Sequence, residues 1–215
     1  MERVKKYNKK HHSVADWNFS STNYTLDTSI YISEPSSLRF NAIGLYALLK
    51  QASAGGPIPE GIIESYFRFA AGANGSYGLF SFRNQAPDGQ ASLNYTYWIG
   101  LLATEYGSGK PFNQAQFAYL IGGTLYPLET KTISPVLYPD TWYLLRVKFW
   151  VYDNVLMVAF EYWNGSEWVK LCGDFSDPNN RWATSSVNRV GIISVIAYSP
   201  RYSWFDNTRI FRRVS

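Results

Sequence analysis

The stretch WYLLRVKFWVYDNVLMVAFEYW, residues 142–163, decides the fold. Side chains on a β-strand alternate between faces, so Leu145, Val147, Phe149 and Val151 line one side of its first half while Arg146, Lys148, Trp150 and Tyr152 line the other. One face is apolar and one is polar, the pattern of a half-buried antiparallel sheet. Downstream, RVGIISVIAYS (189–199) and SWFDNTRIFRR (203–213) read the same way.

Working back toward the N-terminus, SLNYTYWIGLL (92–102) puts Leu93, Tyr95, Tyr97 and Ile99 in register, and IIESYFRFAA (62–71) puts Ile63, Phe67 and Phe69 on one face. YGLFSFRN (77–84) lies between them. Asn74-Gly75 and Asn164-Gly165 are dipeptides that hairpin turns prefer, and APDGQ (86–90) is a further turn. Residues 62–102 are therefore expected to form a meander. NAIGLYALLKQ (41–51) fits a strand and also a helical spacing through Ile43, Tyr46, Ala47 and Lys50; strand is the preferred reading, with ASAGGPIPEG (52–61) as a loop. In the middle, YGSGKPFN (106–113) reads as a loop, QFAYLIGG (116–123) and LYPLETKTI (125–133) as strands, and CGDFSDPNNRW (172–182) as a turn-rich connection. About a dozen strands without an amphipathic helix point to two packed antiparallel sheets.

A chain of 215 residues is long enough for one substantial core. Its aromatic share of 18% against 17% charged residues suits broad sheets with rings packed between them. The single Cys172 excludes an internal disulfide. No segment approaches the ~18 apolar residues of a membrane span, and MERVKKYNKKHH (1–12) has no apolar signal core, so a soluble chain without a Sec-type signal is expected. The net charge of +4 belongs to those first residues, where Arg3, Lys5, Lys6, Lys9 and Lys10 face only Glu2. Residues 1–13 are accordingly read as a basic flexible arm and 14–215 as one β-domain. Nucleic-acid contact by the arm is admissible, but a solvated terminus is the simpler reading.

Taken in order, PSSLRF, GIIESYFRF, GLFSFRN, NYTYWIGL, WYLLRVKFWVYDNVLMVAFEYWNGSEW, RVGIISV and SWFDNTRIF resemble the concanavalin A-like lectin and glucanase superfamily, which includes laminin G-like domains. The resemblance covers roughly residues 35–213 and implies an all-β fold, a two-sheet antiparallel jelly-roll β-sandwich. It includes a Trp-Tyr pair opening a basic strand and an aromatic-Asp-Asn motif on the closing strand. Fold alone does not give function, because such domains include lectins, glycosidases, lyases and virion proteins.

Catalytic patterns are missing. The E-x-D-x-x-E string of family 16 glycosidases does not occur, and the nearest carboxylate pairs, Glu60 with Glu64 and Asp174 with Asp177, read as surface acids. The only histidines, His11 and His12, are in the tail, so neither a Ser nor Cys172 has an ordinary general base. Zinc lacks a Cys/His cluster, and Gly107-Ser108-Gly109-Lys110 is too short for a phosphate loop. The resemblance admits a structural calcium, with Asp206 the residue to watch; no other cofactor is expected.

What the resemblance implies is binding. Tyr66, Arg68, Arg83, Asn94, Thr96 and Trp98 fall opposite the apolar registers of their strands and form the expected ligand surface for a glycan or a protein partner. Lys148, Trp150 and Tyr152 are the runner-up patch. The sequons at Asn18, Asn23, Asn74, Asn94 and Asn164 add little without an export signal. The leading expectation is a non-catalytic binding module at a cell or virion surface. A virion structural component, assembling with its own copies or with other subunits through the basic arm, and a glycoside hydrolase or polysaccharide lyase are the alternatives.

Overall fold

The computed structural model describes residues 7–11, 14–32, 37–41, 45–70, 74–87, 89–105, 110–198 and 203–213. They form sixteen strands in two antiparallel sheets. In chain order these are β1 Tyr7–His11, β2 Trp17–Phe19, β3 Tyr24–Asp27, β4 Ser37–Phe40, β5 Leu45–Leu49, β6 Gly61–Phe69, β7 Asn74–Asn84 and β8 Tyr95–Leu102. They continue as β9 Phe112–Ile121, β10 Thr124–Leu137, β11 Tyr143–Tyr152, β12 Val155–Trp163, β13 Trp168–Lys170, β14 Phe175–Asp177, β15 Arg189–Tyr198 and β16 Ser203–Arg213. Sheet A runs β13-β12-β11-β6-β16-β4-β3, with β1 added on β16 and β14 on β12. Sheet B runs β10-β9-β8-β7-β15-β5-β2.

The deciding stretch behaves as its alternation requires. Leu145, Val147 and Phe149 are buried, and Asp153 and Asn154 turn the chain between β11 and β12 with φ of 49° and 62°. Two consecutive left-handed residues make the tight hairpin whose twist matches the strands it joins. The second expected hairpin also forms, Trp163 pairing Trp168 across a loop in which Asn164 Oδ1 accepts from the Ser166 and Glu167 amides, each at 2.9 Å. Phenylalanines knit the sheets together: Phe82 of sheet B stacks on Phe149 of sheet A at 4.7 Å between ring centroids, and Phe67 meets Phe80 edge-on at 5.0 Å. One apolar cluster holds inward residues of both sheets. The fold is the expected two-sheet β-sandwich.

Three local expectations are corrected. Residues 62–102 are not one meander, because β6 lies in sheet A and β7 in sheet B. Both edges of β6 are already taken, by β11 and β16, so β7 has no edge to join. Asn74 accordingly opens β7 and pairs Tyr198 instead of turning a hairpin. Residues 51–54, expected at a strand end and in a loop, form a single helical turn, Gln51–Ala54, closed by Gly55 at φ 75°. Within the expected flexible arm, Tyr7–His11 is strand β1, paired with Arg209–Arg213; residues 1–6 and 12–13 lie outside the described residues. The cause is an edge: β4 covers only Ser203–Phe205 of β16, and the backbone groups beyond would stay unpaired without β1.

Candidate functional site

Alternation along sheet B produces a second, smaller apolar cluster on its outer face. Ala47, Tyr97, Phe117 and Ile192 point into the sandwich, whereas their neighbours Leu48, Trp98, Ala118 and Ile193 point away from it. Residues 85–87 and 89–94 fold over part of this outer face, adding Ala86 and Leu93 to the cluster. What it leaves open is a groove of about 200 Å³ lined by Gly78, Leu93, Trp98, Leu120, Gly123, Leu125 and Ile193. Gly78 pairs with Gly100 across the sheet, so no side chain fills the floor beside Trp98. Asn94 lies exposed at one end, its Oδ1 3.5 Å from where a Cβ on Gly123 would be.

The wall is rigid for a reason the sequence hides. Arg189 is buried, and its guanidinium donates to the carbonyls of Leu49 (2.9 Å), Leu48 (3.1 Å), Ala86 (3.2 Å), Pro87 (2.9 Å) and Gln90 (2.7 Å), and to Asn18 Oδ1 at 2.5 Å. It stitches the covering loop to β5. Asn84 holds the loop from within, Nδ2 donating to the Ser92 carbonyl at 2.7 Å while Oδ1 accepts from the Ala86 amide at 2.8 Å. Tyr46 adds a bond from its hydroxyl to the Ala91 carbonyl, 3.3 Å, and burial raises its pKa.

The outer face of sheet A is built differently. Lys170, Glu161, Arg146, Glu64 and Arg209 lie in one row across β13, β12, β11, β6 and β16, alternating in sign. Arg146 pairs with Glu161 through Nε and with Glu64 at 3.6 Å, and lies over the Trp168 ring at 4.1 Å. Lys148 supplies a second cation to Glu161 at 2.8 Å.

The expected ligand surface divides between these faces. Trp98 and Asn94 are at the groove. Tyr66 and Arg68 are on sheet A, where Arg68 lies 5.3 Å from the Trp204 ring and 3.5 Å from Asp140. Arg83, expected outside, is fully buried and donates to the Pro59 carbonyl at 2.9 Å, to Asn180 Oδ1 at 2.5 Å and to the Arg181 carbonyl at 3.2 Å. A register shift between Gly78 and Phe80 and a left-handed φ of 51° at Arg83 break the alternation that placed it on the surface. Thr96 is also buried, its hydroxyl held by the Phe82 and Tyr97 carbonyls at 3.2 and 2.9 Å. The runner-up residues Lys148, Trp150 and Tyr152 follow the outer register of β11, with Tyr152 strongly exposed.

Among the described residues, no charged side chain lines the groove. The expected surface pair Asp174 and Asp177 is half wrong, because Asp177 is fully buried. Burial works against its ionisation but is outweighed by hydrogen bonds from Tyr97, Arg181 and Asn179, which hold its pKa below the usual carboxylate value. Burial foremost pushes the Cys172 thiol up to about 11, which keeps it in the thiol form near neutral pH. Asp206 Oδ2 accepts from the Ile32 amide at 2.7 Å, and among the described residues no group of three His, Cys, Asp or Glu could hold a metal ion.

No protein-family profile matches the chain, and a search of curated proteins finds no match. Solved structures match its fold. A GH43 glycoside hydrolase engineered for endo-xylanase and exo-arabinofuranosidase activity aligns with TM-score 0.60 and 11% identity over 100% of this chain, which spans 42% of the enzyme. The exoplasmic/lumenal domain of VIP36, in its Ca2+/Man3GlcNAc-bound form, aligns with TM-score 0.53 and 11% identity over 94% of this chain and 86% of that domain. The CBM2 module of the evolved Dit of Lactobacillus casei BL23 phage J-1 aligns with TM-score 0.53 and 8% identity over 98% and 99%. The chain has the concanavalin A-like β-sandwich fold. No helix among the described residues is long and apolar enough to cross a membrane.

Proposed function

We propose that this chain is a non-catalytic carbohydrate-binding module whose ligand surface is the groove on the outer face of sheet B. The observation that carries this reading is the open apolar groove beside Trp98, braced by Arg189 and edged by Asn94. Trp98 is 7% exposed, so the apolar surface offered to the C–H face of a sugar ring is shared between that part of the indole and Leu125, 41% exposed, and an amide at the rim meets a hydroxyl. An uncharged lining suits a neutral sugar, since a charged group would lose hydration there without gaining a partner. Hydrolysis would need two carboxylates facing the ligand, and none of the described residues lining the groove is one. A sugar-bound lectin domain and a carbohydrate-binding module among the structures of like fold support the same reading.

The phage module, matched over nearly its whole length, favours one setting for such a domain: the surface of a virus particle, with other virion subunits as partners. Co-sedimentation of the chain with particles checks that setting.

The binding test is calorimetric titration with neutral gluco-, manno- and xylo-oligosaccharides after a glycan-array screen. At least one neutral class binds, Trp98→Ala and Leu125→Asp each weaken it tenfold or more, and no oligosaccharide is cleaved. Silence across all neutral glycans, capture of a protein partner alone, or cleavage products would overturn the proposal.

A further inference from the structure

The hairpin that walls the groove has a second face. Leu120 pairs with Leu125 on the groove side, and the next pair along, Tyr119 with Tyr126, points the other way. The two tyrosine rings are stacked, 5.1 Å between centroids and 11° between planes, and Tyr126 is 42% exposed. Arg181 lays its guanidinium over Tyr119 at 4.0 Å, with its side chain 24% exposed. An exposed aromatic platform thus runs into a cation at the end of the sandwich, on the opposite side of the hairpin from the groove.

The loop carrying Arg181 is held in a costly conformation. Asn180 and Trp182, the residues on either side of Arg181, have φ of 43° and 58°, and Arg83, which holds the loop from below, has 51°. Non-glycine residues persist in this region only where their surroundings over-determine them, and such strain concentrates at functional sites. Here the surroundings are a buried polar network. Asp177 accepts from the Tyr97 hydroxyl, from Arg181 Nη1 at 2.5 Å and from the Asn179 amide at 3.0 Å, while the Arg181 amide donates to the Tyr97 hydroxyl at 2.8 Å. Closing the end of the sandwich accounts for Trp182, whose ring packs on Tyr97 at 5.1 Å. It does not account for a guanidinium laid on a tyrosine pair that faces solvent. Asp177 pairs with Arg181, whereas the buried Arg83 donates to the Pro59 and Arg181 carbonyls and to Asn180 Oδ1, and the neighbouring Glu60 is paired with Arg213. Arg181 uses Nη1 for Asp177, and its side chain stays 24% exposed over Tyr119.

We propose that Tyr126, Tyr119 and Arg181 form a second binding surface, for a sugar that carries a carboxylate. The sugar ring stacks on the tyrosine platform, and its carboxylate meets the outer edge of Arg181 in a charge-assisted hydrogen bond. A flat ring pair at a strand edge suits the planar side of a pyranose better than a peptide side chain, which is anchored by a pocket. This surface goes beyond the groove and recognises the opposite charge class of saccharide.

Trigalacturonate, its methyl ester and a glutamate-rich peptide serve as probes, titrated against the full chain by calorimetry at low salt. Trigalacturonate binds, esterification weakens it tenfold or more, and Tyr126→Ala, at an exposed position that leaves the fold intact, does the same. Arg181→Lys, which keeps the charge but loses the planar stack, weakens it severalfold. Trp98→Ala leaves it unchanged, which separates this surface from the groove whether or not neutral glycans bind there. Equal binding of the ester, no effect of Tyr126→Ala, loss of trigalacturonate binding in Trp98→Ala, or binding of the peptide in place of trigalacturonate would each overturn the proposal.

Discussion

The two outer faces of this sandwich have opposite chemistry. On sheet A the row through Arg146 is charged, and its carboxylates are taken: Glu64 by Arg146, and Glu161 by Arg146 and Lys148 together. On sheet B the described residues that line the groove are uncharged, with Trp98 and Ile193 at its buried base and Leu125 exposed at its rim. Buried ion pairs contribute little net stability against well-packed apolar residues, yet losing one partner strands a charge. An open apolar concavity gains nothing in the free protein from staying open and is the usual mark of a ligand site. The difference teaches that many charged and aromatic residues on a face do not make it the binding face; what matters is which groups still lack partners.

Four substitutions or conditions break or sharpen that contrast. Arg146→Ala has the largest effect, because Glu64 and Glu161 are both nearly buried behind it. It costs about 3 kcal/mol, which lowers the melting temperature by roughly 6–12 °C for a chain of this size. Neutral-sugar affinity of the molecules that remain folded stays unchanged, as calorimetry on the folded fraction measures.

Acid comes next. Asp27, against the opposing effect of burial, is held far below the usual carboxylate range by hydrogen bonds from Trp204, Ser29 and Ile30, and Asp177 is lowered by the bonds of its own network. A depressed folded-state pKa gives stability that is complete above the ordinary value of 3.8 and is lost as pH falls through the depressed values. Melting temperature should therefore hold from pH 7 to about 5 and fall below about 4, with a shallower fall in Asp27→Asn. Among the described residues no titratable side chain lines the groove, so binding by the folded protein stays flat over pH 5–8.

Leu125→Asp is smaller for stability and decisive for binding. With Leu125 41% exposed, the melting temperature shifts little, by about 0.5 kcal/mol or less in stability. Affinity for a neutral sugar falls tenfold or more. At the far end of the scale, Lys110→Ala removes an exposed ion pair with Glu105, and neither melting temperature nor binding changes.

Much of the architecture was legible because strands with one wet face announce themselves. Residues 142–163 alternate cleanly, and Trp98 sits on the outer face where the alternation of 92–102 sent it. Pairing between sheets was not legible, since alternation reveals a strand's faces and not its neighbours; Asn74-Gly75 looked like a hairpin although β6 had no free edge. The buried arginines were the larger loss. Arg83 read as a surface residue because arginine usually is one, yet it and Arg189 both bond carbonyls of distant segments that no local pattern could assign. Arg181 also escaped, although DPNNRW carried a signal: a turn-rich run without glycine, in which φ of 43° and 58° falls to Asn180 and Trp182.

The central claim, that sheet B and not sheet A presents the sugar-binding surface, is tested most directly by following the tryptophan indole N–H signals by NMR during titration with the neutral oligosaccharide that binds best, with Trp98→Phe to assign the Trp98 signal. The account predicts that the Trp98 signal moves with ligand while those of Trp150 and Trp168 stay in place. Movement of Trp150 or Trp168 with Trp98 unmoved would contradict it.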